Sequence, residues 1–213
     1  MQGEDLRRAL RLVVITDRAL AAPREVAQVV TAALAGGARA IQLRNKGDSA
    51  RTLFEVGTEL RAVTKQAGAL LFVNDRVDVA LAIEADGVHL GPDDPPVAAV
   101  RAIAPDSFLI GYSTDDPKVA REAIAAGADY IGCGAVYPTA TKSDAGDVIG
   151  LRGLSEVAAA VTTPVVAIGG ITVERASDVA EAGASGMAVV GAIMQAPDPG
   201  AVTGSLLRAF ARR

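Results

Sequence analysis

The sequence predicts a (β/α)8 barrel of the TIM type, and three observations carry that expectation. Short runs rich in Val, Ile and Leu alternate with Ala-rich stretches of helical spacing, eight times over the 213 residues. The runs are continuously apolar, as in parallel strands that helices cover on both faces. The same helix-to-strand turn also recurs in LAGGARAIQL, AAGADYIG and EAGASGMAV, where glycine ends a helix and a strand follows at once. An open doubly wound sheet is the rival architecture. Its G-x-G-x-x-G fingerprint is missing after the first strand, which runs into ITDRALAAP, and GCGAVY supplies only G-x-G.

Each element follows in order. RLVVITD (Arg11–Asp17) reads as the first strand, and REVAQVVTAALAGG as a helix stopped by Gly36-Gly37. AIQLRNK (Ala40–Lys46) is the second strand. The helix after it opens at Asp48-Ser49, both good N-caps, and closes on Gly68. ALLFVND and the short helix RVDVALAIEAD come next, then GVHLG and a helix from Pro95 to Ala104. SFLIGYS precedes DPKVAREAIAAG, and DYIGCGAV precedes a long polar segment and the helix GLSEVAAAV. TPVVAIGG precedes TVERASDVAEAG, and GMAVVGAI precedes a last helix from Pro199 to Phe210. One domain is expected over residues 1–213, with residues 1–10 as an N-terminal extension.

Composition narrows the function. Half of the residues are hydrophobic but only 3% are aromatic, so one large core must be built from Val, Ile, Leu and Ala. The net charge of -4 and the scattered Lys and Arg argue against a nucleic-acid partner. The single cysteine, Cys133, excludes an intramolecular disulfide and a cysteine zinc cluster, and it fits a reducing compartment. MQGEDLRRAL lacks a signal-peptide pattern, and no apolar run approaches the ~18 residues of a membrane span. No membrane partner is therefore expected, and the location is expected to be cytoplasmic. A homodimer is compatible with the sequence.

In such a barrel the chemistry sits at the C-terminal ends of the strands. Strand ends one to six carry polar groups here, while seven and eight carry Gly169-Gly170 and Val190-Gly191. Glycine at the last two ends suits a phosphate held by backbone N–H groups, or simply a tight turn. Asn74-Asp75 and Asp93-Asp94 close neighbouring strands, and their carboxylates suit either a shared Mg2+ or the caps of the following helices. Gln42, Arg44 and Lys46 alternate and so share a face, where Arg and Lys suit a diphosphate and the amide suits a heterocycle edge. The loop VYPTATKSDAGDVIG has the length and polarity of a lid, from which Lys142 would reach a phosphate or a leaving group. His89, the only histidine, reads as a hydrogen-bonded structural residue, and Cys133 as a small buried hydrophobe.

These motifs together carry a resemblance. QLRNK, VNDRVDVALAIEADGVHLGPDD, GYST, YPTATK, AIGGI and GMAVVGAI stand in the order and spacing of the thiamine phosphate synthase family, over almost the whole chain. The resemblance implies a TIM barrel that joins 4-amino-2-methyl-5-(diphosphooxymethyl)pyrimidine to a thiazole phosphate, with Mg2+, and releases pyrophosphate. It implies that Gln42, Arg44, Lys46 and Asn74 bind the pyrimidine diphosphate and that Asp75 and Asp94 hold the Mg2+. It further implies that Ser113 and Lys142 contact the pyrimidine or its leaving group, with Arg44 beside them in the catalytic set. Thr139, Thr141, Gly170, Val190 and Gly191 would cradle the thiazole phosphate. Two positions depart from the family: Pro92 stands where Gln or Arg is usual, and Gly191 where Ser is usual, which removes one hydroxyl contact. The rival readings are a thiazole tautomerase-like enzyme and a non-catalytic barrel that binds thiamine phosphate.

Overall fold

The computed structural model describes residues 3–45, 47–139 and 147–211. Eight strands, all parallel, close into a barrel in chain order: β1 Leu12–Ile15, β2 Ala40–Leu43, β3 Leu70–Asn74, β4 Gly87–Leu90, β5 Leu109–Ser113, β6 Tyr130–Cys133, β7 Val165–Ile168 and β8 Gly186–Val189. The helices between and around them are α1 Gly3–Ala9, α2 Arg18–Ala21, α3 Val26–Ala35, α4 Ala50–Ala67, α5 Val77–Ala82, α6 Val97–Ile103, α7 Pro117–Ala125, α8 Gly150–Ala160, α9 Ala176–Glu181, α10 Gly191–Met194 and α11 Pro199–Phe210.

Strand alternation divides the core in two. Outward residues such as Val14, Ile41, Leu71, Val88 and Ile110 pack against the helix ring. Inward residues such as Val13, Phe72, Leu109, Tyr130 and Val166 fill the barrel itself. The segment ahead of β1 belongs to the second cluster: α1 lays Leu6 against it, and Leu10 follows, fully buried. Residues 3–10 therefore close the N-terminal end of the barrel.

That closed end is tied by a repeated device. Asp86 sits just ahead of β4, and its carboxylate accepts from Arg61 at 2.7 Å and from the Leu71 N–H at 2.8 Å. Asp129 does the same ahead of β6, accepting from Arg101 at 2.6 Å and from the Ile110 N–H at 2.8 Å. Each carboxylate satisfies one strand-end donor and one helix cation, so it fixes the spacing of strand and helix.

Helix ends follow local chemistry. Ser49 caps α4 by accepting from the Thr52 N–H, and Gly68 closes it at φ 62. Several expected strand ends need correction, and the second strand, expected over Ala40–Lys46, ends at Leu43. The first strand ends at Ile15, because Asp17 caps α2, accepting from the Leu20 N–H. The eighth strand ends at Val189, and Gly191 opens α10 instead of continuing the strand. An apolar run of this length is read equally well as a buried strand or a buried helix turn.

Candidate active site at the C-terminal mouth of the barrel

The mouth is assembled from strand parity. Gln42 follows Ala40 on the inward face of β2, Asn74 follows Leu70 and Phe72 on β3, and Ser113 follows Leu109 on β5. Val190 packs on the inner cluster just past β8. These side chains, distant in sequence, share one interior because alternation along each strand is strict.

Arg44 is set by the end of β1. The Thr16 hydroxyl, fully buried, donates to the Arg44 carbonyl at 3.1 Å and accepts from the Arg44 N–H at 3.0 Å. The Thr16 N–H donates to the Gln42 carbonyl at 2.9 Å. Beyond it, Asn45 accepts from the Arg18 N–H at 3.1 Å, and Asp48 pairs with the Arg18 guanidinium at 2.6 Å. Lys46 lies outside the described residues.

The two carboxylate sites stand ahead of their helices rather than at the caps. The cap positions of α5 and α6 fall to Arg76 and Pro96, neither of which makes a side-chain cap bond. Asp75 is held in the left-handed region at φ 62, and its N–H donates to the His89 carbonyl at 2.8 Å. Asp94 turns one carboxylate oxygen back onto the Gly91 N–H at 2.6 Å. Strands β3 and β4 pair with Asn74 opposite His89, so the two loops leave the barrel as neighbours.

Below the mouth lies a chain of polar contacts. His89 Nε2 is 2.8 Å from Ser113 Oγ, and His89 Nδ1 is 3.0 Å from Tyr130 Oη. Burial pushes the Tyr130 hydroxyl well above the usual phenol range, and the nearby Gln42 amide pulls it back in part. His89 is thus bonded through both ring nitrogens, as expected of a lone structural histidine. Tyr130 carried no expectation from sequence.

Loops six and seven meet through glycine. Gly170 sits at φ 60, and a Cβ there would stand 2.6 Å from the Pro138 carbonyl oxygen and 2.8 Å from Tyr137 Cβ. Arg175 donates to the Gly170 carbonyl at 2.7 Å and lies 4.5 Å over the Tyr137 ring. It therefore clasps the start of the β6–α8 loop, just before Thr139, to the Gly170 turn. Thr141 and Lys142 lie outside the described residues, as does 140–146 of the expected lid. At the next strand end, Val190 is the cap position of α10 and Gly191 its first residue. Arg24 holds the far end of that helix, donating to the Met194 carbonyl at 2.7 Å and the Ala196 carbonyl at 2.6 Å. No sequence pattern marks Arg24 and Arg175, because they act on backbone carbonyls of remote loops.

The donor set can be tested against Mg2+. Among the described residues no group of three or more His, Cys, Asp or Glu side chains comes together. Among the described residues the mouth therefore offers no all-protein cage. Two carboxylates on adjacent loops, both hard oxygen donors, suit an ion that takes the rest of its shell from water and substrate phosphate. The residues fit Mg2+ in that shared mode. Among the described residues no helix is long and apolar enough to cross a membrane.

The chain is similar to known proteins over most of its length. Residues 12–193 match the family model described as thiamine monophosphate synthase. The chain is 48% identical over 200 residues to a thiamine-phosphate synthase of Roseiflexus castenholzii, covering 94% of this chain and 88% of that protein. It is 50% identical over 199 residues to one of Pyrococcus horikoshii, covering 93% and 94%. A solved thiamine phosphate pyrophosphorylase from Pyrococcus furiosus superposes with a TM-score of 0.87 at 45% identity, covering 96% of this chain and 97% of that one. A 3-hexulose-6-phosphate synthase, at TM-score 0.69 and 21% identity, shares the fold.

Proposed function

The chain belongs to the thiamine monophosphate synthase family and is a transferase with that family's activity; on that premise we propose how the barrel mouth performs the reaction. The substrates in this reading are 4-amino-2-methyl-5-(diphosphooxymethyl)pyrimidine and 4-methyl-5-(2-phosphooxyethyl)thiazole, and the products are thiamine phosphate and pyrophosphate. One observation carries it. Gln42, Asn74 and Ser113 face a common interior, with Arg44 pinned above them by Thr16 and Asp75 beside them.

In the proposed assignment Gln42, Asn74 and Ser113 hold the pyrimidine, while Arg44, Lys46 and Lys142 face its diphosphate. Asp75 and Asp94 would hold Mg2+ against the same diphosphate. When bound, the ion neutralises charge that builds on the leaving group. The thiazole phosphate would sit against Thr139, Thr141, Gly170, Val190 and Gly191, where backbone N–H groups replace the hydroxyl that Gly191 lacks.

The proposed reaction is a dissociative displacement. The C–O bond to the diphosphate breaks, and its electron pair leaves with pyrophosphate. The electron-rich aminopyrimidine delocalises the resulting positive charge. The thiazole nitrogen lone pair then forms the new C–N bond, and the charge remains on the thiazolium ring. No proton has to move in either step. The mouth accordingly supplies cations and placement rather than a strong general base.

The test is pyrophosphate release from the purified protein given both precursors, with Mg2+ and with chelator. Release that needs both precursors and the metal supports the reading. Isomerisation or mere retention of the thiazole phosphate, with no pyrophosphate, would overturn it in favour of a tautomerase or a binding protein.

A further inference from the structure

We propose that Thr16, just past β1, is a positioning residue that sets the direction of Arg44 and so the fit of the diphosphate subsite. The inference rests on the reading above, in which Arg44 faces the pyrimidine diphosphate, and deepens it. Thr16 is a polar side chain inside the core, only 1% exposed. Its hydroxyl engages both main-chain groups of one residue. It accepts from the Arg44 N–H at 3.0 Å and donates to the Arg44 carbonyl at 3.1 Å. A hydroxyl has one proton to give and lone pairs with which to accept, so the two bonds form together.

The sheet explains why a side chain is needed there. β1 and β2 pair in parallel with Ile15 opposite Gln42, and the Thr16 N–H donates to the Gln42 carbonyl at 2.9 Å. The next rung of that ladder would carry the Arg44 N–H to the Thr16 main-chain carbonyl. The Thr16 hydroxyl takes that N–H instead. The chain after β1 can therefore turn at once into α2, capped by Asp17, while Arg44 keeps a fixed place past the last residue of β2.

An outer tie backs the inner one. Asn45, next to Arg44, accepts from the Arg18 N–H at 3.1 Å, and its amide donates to Asp48. Asp48 in turn pairs with the Arg18 guanidinium at 2.6 Å. The segment after β1 thus grips the segment after β2 in two places. The Arg18 side chain is 48% exposed, so water competes with the outer pair. The Thr16 bonds are shielded and carry more of the restraint. Among the described residues no side chain bonds or pairs with the Arg44 guanidinium, so its direction comes from its backbone. A backbone fixed at both N–H and carbonyl aims the side chain before any substrate arrives, which is what a charged leaving group requires.

The test compares two substitutions. Thr16→Val keeps the β-branched shape and removes the hydroxyl, whereas Thr16→Ser keeps the hydroxyl. The probe of the subsite is inorganic pyrophosphate with Mg2+, titrated by calorimetry. Thr16→Val is expected to weaken pyrophosphate binding roughly tenfold and to lower kcat/KM for the pyrimidine diphosphate by a similar factor, while KM for the thiazole phosphate stays within about twofold. Thr16→Ser should bring both back to within about threefold of wild type. In an Arg44→Ala background Thr16→Val should cause no further loss of pyrophosphate affinity, because it acts through Arg44. A Thr16→Val protein that is less stable yet keeps wild-type affinity and kinetics overturns the proposal. So does a loss shared equally by both substrates, or one that persists without Arg44. Should Thr16→Val not fold, hydrogen exchange in the wild type decides: a protected Arg44 amide supports the proposal, and a freely exchanging one overturns it. Failure of the substrate reading is distinct: it appears as wild-type protein that releases no pyrophosphate, whatever the Arg44 amide does.

Discussion

The Asp75 N–H donates to the His89 carbonyl at 2.8 Å, and this bond joins the end of β3 to the end of β4 where both loops turn outward. It holds Asp75 at φ 62, a conformation that costs most side chains about 1–2 kcal/mol. Strain of this kind persists only where the surroundings over-determine it, and it concentrates at functional sites.

Substitutions at Asp75 should separate strain from charge. Asparagine tolerates the left-handed region, so Asp75→Asn is expected to keep wild-type stability and lose roughly 100-fold or more in Mg2+-dependent turnover. Asp75→Ala should lose the same activity and also about 1 kcal/mol of stability. Urea melts beside pyrophosphate assays check both, and an Asp75→Asn protein with full activity would remove Asp75 from the metal site.

Space around the buried rings should make glycine substitution costly in a graded way. Gly111→Ala meets the Tyr130 ring at 2.2 Å and is expected to cost about 3 kcal/mol, while Gly132→Ala meets His89 at 2.9 Å and should cost about 1 kcal/mol. Denaturant midpoints with an unchanged m-value are the measurement.

At the closed end of the barrel, stability and activity should come apart. Asp129→Ala leaves the Ile110 N–H and the Arg101 guanidinium without their carboxylate, which costs about 1–3 kcal/mol. Turnover measured well below the melting temperature should match wild type, since this face lies opposite the mouth.

Arg175 should act on one substrate more than the other. Its removal opens the clasp between Tyr137 and the Gly170 turn, a loss of about 1–2 kcal/mol. Arg175→Ala is expected to raise KM for the thiazole phosphate several-fold and leave KM for the pyrimidine diphosphate nearly unchanged, as initial-rate kinetics with each substrate varied would show.

Cys133 is fully buried, and burial, aided by the negative charge of Asp115, pushes its thiol well above the ordinary range. The thiolate is the reactive form. Native protein should therefore resist thiol reagents at neutral pH and react stoichiometrically once unfolded in urea, as mass spectrometry of alkylated protein would reveal.

Much of the molecule is legible in the sequence. Alternating apolar runs and helices imply the barrel, and closure of the sheet is the natural result of eight such units. Period-two alternation alone puts Gln42 on the inward face of β2 with Ala40, while Arg44 lies past the strand's last residue, Leu43. Paired acids at Asp75 and Asp94 mark two adjacent strand ends, though the sequence leaves open whether they cap helices. The fold gives those cap positions to Arg76 and Pro96. Gly191 reads as the tail of a strand and instead begins a helix.

What sequence determined by itself was therefore the architecture and which face each strand residue takes, because both follow from local periodicity and from the need to bury apolar runs. What only the tertiary structure decided was which inward residues meet. Closing a barrel staggers its strands, so contact partners depend on the register around the whole ring and not on any one strand. That register sets His89 and Tyr130 in contact across the non-adjacent strands β4 and β6, with the His89 ring over the space left by Gly111 and Gly132. Likewise, Arg24 and Arg175 bond carbonyls brought near by loop packing, a relation that no local pattern in the chain encodes.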